Sequence, residues 1–298
     1  MARDRTTFGG GAVFLLLLLG ALTGCHVLGG GPEEPTQRVA HFESGDVSYE
    51  VHGDGPPLVL IHGWASDRRA WFKNIVGLSE EFRVIVIDLP GHGESAEPRV
   101  DYSMNLFADG IASVLDAEGV ADAILVGHSN GVPTVRQFYR RHRDRVRGLV
   151  LVDGALMNIV PAEMREQFLG VFRGEEYQAS VEEMVAGMPS PILTNEDRVY
   201  LTSMALAQPQ HAVAGGFEAV TDPSIWTEDT MDAPCLMIMA EQPIWNDAYE
   251  AKVRELVPNV DYRMLSNTGH FIMVERPEEF SGWVREFADR LANELGRD

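Results

Sequence analysis

Four times between residues 58 and 152 the sequence sets a short, unbroken apolar run ahead of a stretch with helical or turn character: Leu58–Ile61, Val84–Ile87, Ile124–Val126 and Leu149–Val152. A strand with one wet face alternates apolar and polar residues, so an unbroken run must be covered on both faces. Between the runs lie helical patterns near Arg68–Gly77 and Asn105–Glu118, and a third after Ser129 that passes through Val135, Phe138 and Tyr139. Short buried strands separated by helices predict a mostly parallel sheet with helices on both faces. Upstream, Val39–Phe42 and Val47–Val51 flank Ser44-Gly45-Asp46, the pattern of a β-hairpin. Downstream come strands at Cys235–Met239 and Val260–Leu265, with helices near Ala248–Leu256 and Pro277–Leu295. The count is eight strands, and a chain with 45% hydrophobic residues has enough apolar surface for one large core.

The alternation stops at Val152 and resumes at Cys235. That gap is far longer than a connection between neighbouring elements. It carries candidate helices at Pro161–Phe172, Tyr177–Met188, Asp197–Ala207 and His211–Val220, punctuated by Pro189, Pro191 and Pro209. The pattern predicts a helical cap at residues 155–230 inserted after strand six into a core formed by 39–154 and 231–298. Met157, Ile159, Met164, Phe168, Met184, Met188, Ile192 and Met204 make the cap apolar and adaptable, with only scattered cations such as Arg165, Arg173 and Arg198.

The third apolar run leads into Gly127-His128-Ser129-Asn130-Gly131 and then into a helix. Serine on a sharp strand-to-helix turn projects its hydroxyl into solvent, and small residues two positions away on each side keep Cβ atoms out of the turn. The following helix directs free N–H groups and the positive end of its dipole at the same place. Ser129 is therefore the candidate nucleophile. A serine hydroxyl needs a base within hydrogen-bond reach, and His270, in Asn267-Thr268-Gly269-His270-Phe271 after the last strand, is the candidate. His128 is expected to point away from the nucleophile. His62 and His92 lie in turns, no His-x-x-x-His pair occurs and there is no cysteine cluster, so no metal and no cofactor are expected.

Four segments, Ile61-His62-Gly63-Trp64, Asp88-Leu89-Pro90-Gly91-His92-Gly93-Glu94-Ser95, the serine turn and the His270 loop, together resemble the α/β-hydrolase family from about Val39 to Leu295. The resemblance implies two main-chain oxyanion donors, the N–H groups of Trp64 and Asn130. It leaves the acid of the triad open. Where many members carry a Gly-x-x-Asp turn after the seventh strand, this chain has Ala240-Glu241-Gln242-Pro243. Asp153, which ends the sixth strand as in the haloalkane dehalogenase branch, is the preferred acid; Glu241 is the alternative, and Asp247 looks better suited to cap the helix at Ala248. Members that cleave carbon–halogen bonds or epoxides attack with aspartate, so Ser129 directs the chemistry to acyl transfer. The expected activity is hydrolysis of a carboxylic ester of a small, apolar molecule. Carbon–carbon bond hydrolysis or lactone hydrolysis on the same triad, or a catalytically silent ligand-binding protein, are the alternatives.

Ahead of the fold lie Arg3 and Arg5, an apolar run from Ala12 to Leu22, and Leu22-Thr23-Gly24-Cys25. This resembles the signal of bacterial lipoproteins. It implies removal of residues 1–24, lipid on Cys25, and a Gly- and Pro-rich tether over 25–38 holding an exported protein to a membrane at its periplasmic or cell-surface face. With Cys25 acylated, Cys235 has no disulfide partner and reads as a buried small hydrophobe. The net charge of -21 argues against nucleic acid as a partner.

Overall fold

In the computed structural model, which describes residues 36–188 and 190–295, a hairpin of β1 (Thr36–Phe42) and β2 (Gly45–His52) opens the fold. Parallel strands follow: β3 (Pro57–Ile61), β4 (Arg83–Ile87), β5 (Ala123–His128), β6 (Val146–Val152), β7 (Cys235–Ala240) and β8 (Val260–Leu265). They form one eight-stranded sheet in the order β1-β2-β4-β3-β5-β6-β7-β8, antiparallel only at the β1–β2 and β2–β4 pairs. The expected signal 1–24, Cys25 and the tether up to residue 35 lie outside the described residues, as does Pro189. The tether boundary at 38 is corrected by the pairing of Thr36, Gln37 and Arg38 with Val51, Glu50 and Tyr49. Among the described residues no helix is long and apolar enough to cross a membrane.

Strand residues divide between two cores by simple alternation. Val59, Ile61, Ile85, Ile87, Leu125 and Leu151 face α2 (Met104–Ala117), α3 (Gly131–Arg141) and α8 (Asp247–Leu256). Leu58, Leu60, Val84, Val86, Val126 and Val150 face α1 (Ile75–Ser79), α9 (Ile272–Glu275) and α10 (Pro277–Leu295). The helix expected near Arg68–Gly77 is instead a 3-10 turn at Arg68–Trp71 followed by α1. Asp67 caps the turn by accepting from the Arg69 N–H, while the Arg68 N–H is taken by Asp88, on the loop after β4, at 2.7 Å.

The cap consists of α4 (Ala162–Phe172), α5 (Tyr177–Gly187), α6 (Asn195–Leu206) and α7 (Gln210–Val220). Its own small core, including Leu169, Phe172, Val181, Val213 and Phe217, closes around Ala65 and Trp64 from the loop after β3. Both ends of the insertion are pinned to α3. The buried Arg136 guanidinium donates to the Leu156 carbonyl at 2.6 Å and to the Thr227 carbonyl, and Arg140 donates to the Ile225 carbonyl at 2.6 Å. Burial lowers the Arg136 pKa to about 10, still far above neutrality, so the clamp keeps its charge. Cys235 is buried at the start of β7 and burial pushes its thiol pKa up, which leaves it chemically quiet.

Candidate active site

The parallel strands β5 to β8 deliver their loops to one edge of the sheet, and the candidate residues stand there. Ser129 follows β5 directly with φ 54, in the left-handed region, and its N–H donates to the Val152 carbonyl at 2.8 Å. The two flanking glycines are required by close approach of main chain, not by their own φ. A Cβ on Gly127 would lie 2.4 Å from the Gly131 carbonyl oxygen, and one on Gly131 would lie 2.6 Å from that of Ile61.

Asp153 follows β6, also left-handed at φ 40, and its N–H donates to the Ile238 carbonyl at 2.8 Å. Its carboxylate is buried and accepts from the Ala240 N–H at 2.9 Å, from Gln242 Nε2 at 3.3 Å and from His270 Nδ1 at 2.7 Å. Such a bond fixes the imidazole tautomer with the proton on Nδ1, leaving Nε2 to accept from a hydroxyl. Ser129 and His270 line the same two cavities. Glu241, the alternative acid, is exposed, with its N–H on the Leu265 carbonyl at 2.8 Å; the structure brings Asp153 and not Glu241 to His270. The expected cap at Asp247 moves by one residue, because Asn246 accepts from the Tyr249 N–H at 3.1 Å.

The Trp64 loop presses against the serine turn: a Cβ on Gly63 would be 3.0 Å from Ser129 Cβ. Among the described residues neither the Trp64 nor the Asn130 main-chain N–H donates to a protein acceptor. Two unspent donors beside a half-buried serine suit a developing oxyanion. The Trp64 side chain does other work, since its indole N–H donates to the Val213 carbonyl at 2.8 Å and its ring packs 4.8 Å from that of Phe172. It therefore joins the loop after β3 to the cap.

Two residues with unassigned roles brace the base. The His128 Nε2–H donates to the His270 carbonyl at 2.9 Å, with the two rings 4.7 Å apart. Burial holds the His128 pKa well below the ordinary histidine value, so the ring is neutral. Glu275 accepts from the Gly269 N–H at 2.8 Å and from Thr268 Oγ1 at 3.2 Å, and Ser190 of the cap donates to it at 2.5 Å. Sequence offered a signal only for His128, its place inside the motif. Nothing local pairs Glu275 with a cap serine 85 positions away. His62 and His92 are also buried braces. His62 uses both nitrogens, giving Nδ1–H to the Gly63 carbonyl at 2.8 Å and accepting the Leu89 N–H at 3.0 Å, and burial lowers its pKa; burial takes that of His92 to about 3. Among the described residues no group of three His, Cys, Asp or Glu side chains is placed to hold a metal ion.

Beside the serine lie a cleft of about 30 Å³ and a cavity of about 290 Å³ roofed by the cap. Met184, Met188, Phe217 and Trp226 line the larger one, while Arg165, Arg173 and Arg198 do not. A bigger groove of about 1060 Å³ runs between the 97–102 loop and the cap, but it touches neither Ser129 nor His270 and its Arg173 is paired with Glu218 at 2.5 Å. Chemistry, not size, identifies the site.

Comparison with known proteins agrees with this fold. A family model described as alpha/beta hydrolase fold matches residues 56–277. A pimeloyl-[acyl-carrier protein] methyl ester esterase of Vibrio cholerae is 28% identical over 255 residues, covering 81% of this chain and 98% of that protein. The solved structure of an esterase from Rhodococcus sp. ECU1013 superposes with a TM-score of 0.73 at 26% identity, covering 86% of this chain and 99% of that one. A Mycobacterium tuberculosis protein is 35% identical over 105 residues, 35% of this chain; the match spans only 31% of that protein's length.

Proposed function

The chain belongs to the alpha/beta hydrolase family, and on that premise we propose that it is a serine hydrolase cleaving the carboxylic ester of a small, mainly apolar molecule. One observation carries the proposal: the 2.7 Å bond from His270 to the buried Asp153, beside a left-handed Ser129 and two undonated amides. Ser129 Oγ attacks the ester carbonyl as its proton passes to His270 Nε2. Asp153 stabilises the resulting imidazolium, and the Asn130 and Trp64 N–H groups receive the oxyanion. Collapse of this intermediate expels the alcohol, which takes the proton from His270. Water then repeats the sequence on the acyl-serine and frees the acid.

The cap supports an apolar substrate, since methionines and aromatic rings line the cavity and, among the described residues, no Arg or Lys does. The esterases named above are similar proteins and point the same way. Pro243 stands where an acid is common, which favours a silent binding protein, whereas the bond from Asp153 to His270 supports a working triad. The proposal extends to location: export, lipid on Cys25 and anchorage to a bacterial membrane rest on the segment from Arg3 to Cys25. Ser129→Ala should abolish p-nitrophenyl butanoate turnover and labelling by a fluorophosphonate. Unchanged turnover overturns the mechanism. Cys25→Ser should release the protein from the membrane fraction; retention there would refute the anchor.

A further inference from the structure

The loop after β3 carries the Trp64 amide, and the next residue holds a backbone shape it would not favour unaided. Ala65 is left-handed, at φ 48, a region that an alanine side chain disfavours. A residue in such a conformation persists only where its surroundings over-determine it. Here those surroundings belong to the cap. Ala65 is buried within the cap's small core. On one side of it the Trp64 indole N–H donates to the Val213 carbonyl of α7 at 2.8 Å. On the other, Gln208, in the turn between α6 and α7, donates from Nε2 to Asp67 Oδ2 at 2.9 Å.

The Gln208–Asp67 contact is a built one. Both residues are buried, and the Gln208 carboxamide is fixed from two further directions: Nε2 donates to the Met204 carbonyl at 3.0 Å, and Oε1 accepts from the Gly93 N–H at 3.0 Å. Asp67 also accepts from the Arg69 N–H at 2.9 Å, at the start of the 3-10 turn. Against the penalty of burial, the hydrogen bonds from Arg69 hold the Asp67 pKa below the ordinary aspartate value. Gln208 thus donates to a carboxylate, a stronger acceptor than a neutral oxygen.

Resting on the serine-hydrolase reading, we propose that Gln208 is a positioning residue: through Asp67, the cap holds Trp64–Asp67 so that the Trp64 N–H is in place for the charge developing on the substrate carbonyl. The cap then serves the reaction step as well as the enclosure of substrate. Gln208 lines neither cavity beside Ser129, so its replacement leaves the wall that substrate meets unaltered. A roof that only encloses substrate shows itself in KM. A tie that fixes an oxyanion donor shows itself in kcat, because such a donor helps by needing no reorganisation when charge appears.

The test is Gln208→Met on the full-length protein in detergent, a change that keeps the buried length and removes the hydrogen bonds. A fluorophosphonate titrates active sites, and thermal unfolding establishes that the variant is folded. For p-nitrophenyl butanoate, kcat per active site should fall about ten- to a hundredfold with KM within about twofold. Trifluoromethyl propyl ketone supplies the second readout. Ser129 Oγ adds to its carbonyl carbon, the serine proton passing to His270 and the π pair to the oxygen, which leaves a tetrahedral oxyanion. Its inhibition constant should rise by about the factor lost in kcat. Gln210→Met breaks bonds inside the cap, to the Phe172 and Gly174 carbonyls at 3.1 and 2.6 Å, and should change neither constant by more than about threefold. An equal loss from Gln210→Met, a fall in kcat with ketone affinity unchanged, or a folded Gln208→Met with unchanged kcat each overturns the assignment. Should Gln208→Met not fold, Trp64→Phe, which breaks the other tie and keeps the amide, should raise the ketone constant more than it raises KM; equal rises overturn the assignment. If the wild type neither turns over the ester nor takes the fluorophosphonate, the serine-hydrolase reading fails first and the assignment falls with it.

Discussion

Replacing Asp153 by asparagine isolates what the acid does for His270. The substitution keeps shape and should keep the fold, because Asp153 sits at φ 40 and asparagine is among the few residues that accept left-handed backbone readily. The new amide oxygen can still take the Ala240 N–H that now bonds the carboxylate at 2.9 Å. Its NH2 then faces His270 Nδ1. A donor there forces the imidazole proton onto Nε2, the nitrogen that must accept from Ser129. The charge is lost as well: at about 4 Å between charge centres and an effective dielectric near 20, a carboxylate stabilises an imidazolium by about 4 kcal/mol, or about three powers of ten. With the tautomer also inverted, kcat should fall about ten-thousandfold. The assay is p-nitrophenyl butanoate hydrolysis at saturating substrate, with thermal unfolding to establish that the variant is folded. Glu241→Gln, run in parallel, should change kcat less than about threefold, as expected of an exposed side chain away from the base. A loss below tenfold for Asp153→Asn, or a larger loss for Glu241→Gln, refutes the assignment.

Other consequences follow from the braces around the base. His128→Phe should lower kcat about ten- to a hundredfold with KM nearly unchanged, while His128→Gln, whose amide can still donate to the His270 carbonyl, should recover much of the loss; equal effects of the two would count against positioning through that hydrogen bond. Gly154→Ala should cost about 1–3 kcal/mol of stability and reduce activity, since its Cβ would stand 2.4 Å from the Ser129 carbonyl oxygen and 2.5 Å from Val132 Cγ2; urea titration checks it. Acid should destabilise the fold through His62, His92 and His128, whose folded pKa values burial depresses below 6.5. The unfolded chain binds more protons than the folded one as pH falls below about 6.5, so unfolding free energy should drop by up to about 1.4 kcal/mol per pH unit for each of them, with the full contribution present above about pH 6.5. A urea midpoint that stays flat between pH 7 and pH 5 would contradict their buried neutral state.

Much of this molecule is legible along the chain because its decisive constraints are local. An apolar run such as Leu58–Ile61 needs cover on both faces wherever it ends up. Gly127 and Gly131 are forced by a turn that occupies five residues. The order of the four loop motifs follows the order of the strands, which is why Ser129, His270, Trp64 and Asn130 could be named as candidates before any coordinates. Even the cap was visible, as a stretch too long and too helical to be a connection.

Tertiary structure decided whatever depends on two distant segments meeting. Two carboxylates stood at neighbouring strand ends, and the choice between them turned on direction: Asp153, left-handed after β6, aims inward at His270, whereas Glu241 after β7 turns to solvent. No local pattern encodes that sense, because it comes from the backbone bond of Asp153 to Ile238 on the next strand. The neutral His128 beside His270 and the Ser190–Glu275 link from the cap to the His270 loop emerge for the same reason. Sequence alone determined the sheet, the turn that presents the serine and the insertion that covers it, since each is written in neighbouring residues. Only folding decided which carboxylate meets His270 and which side chains line the cavity beside it, since hydrogen bonds and burial depend on distances through space.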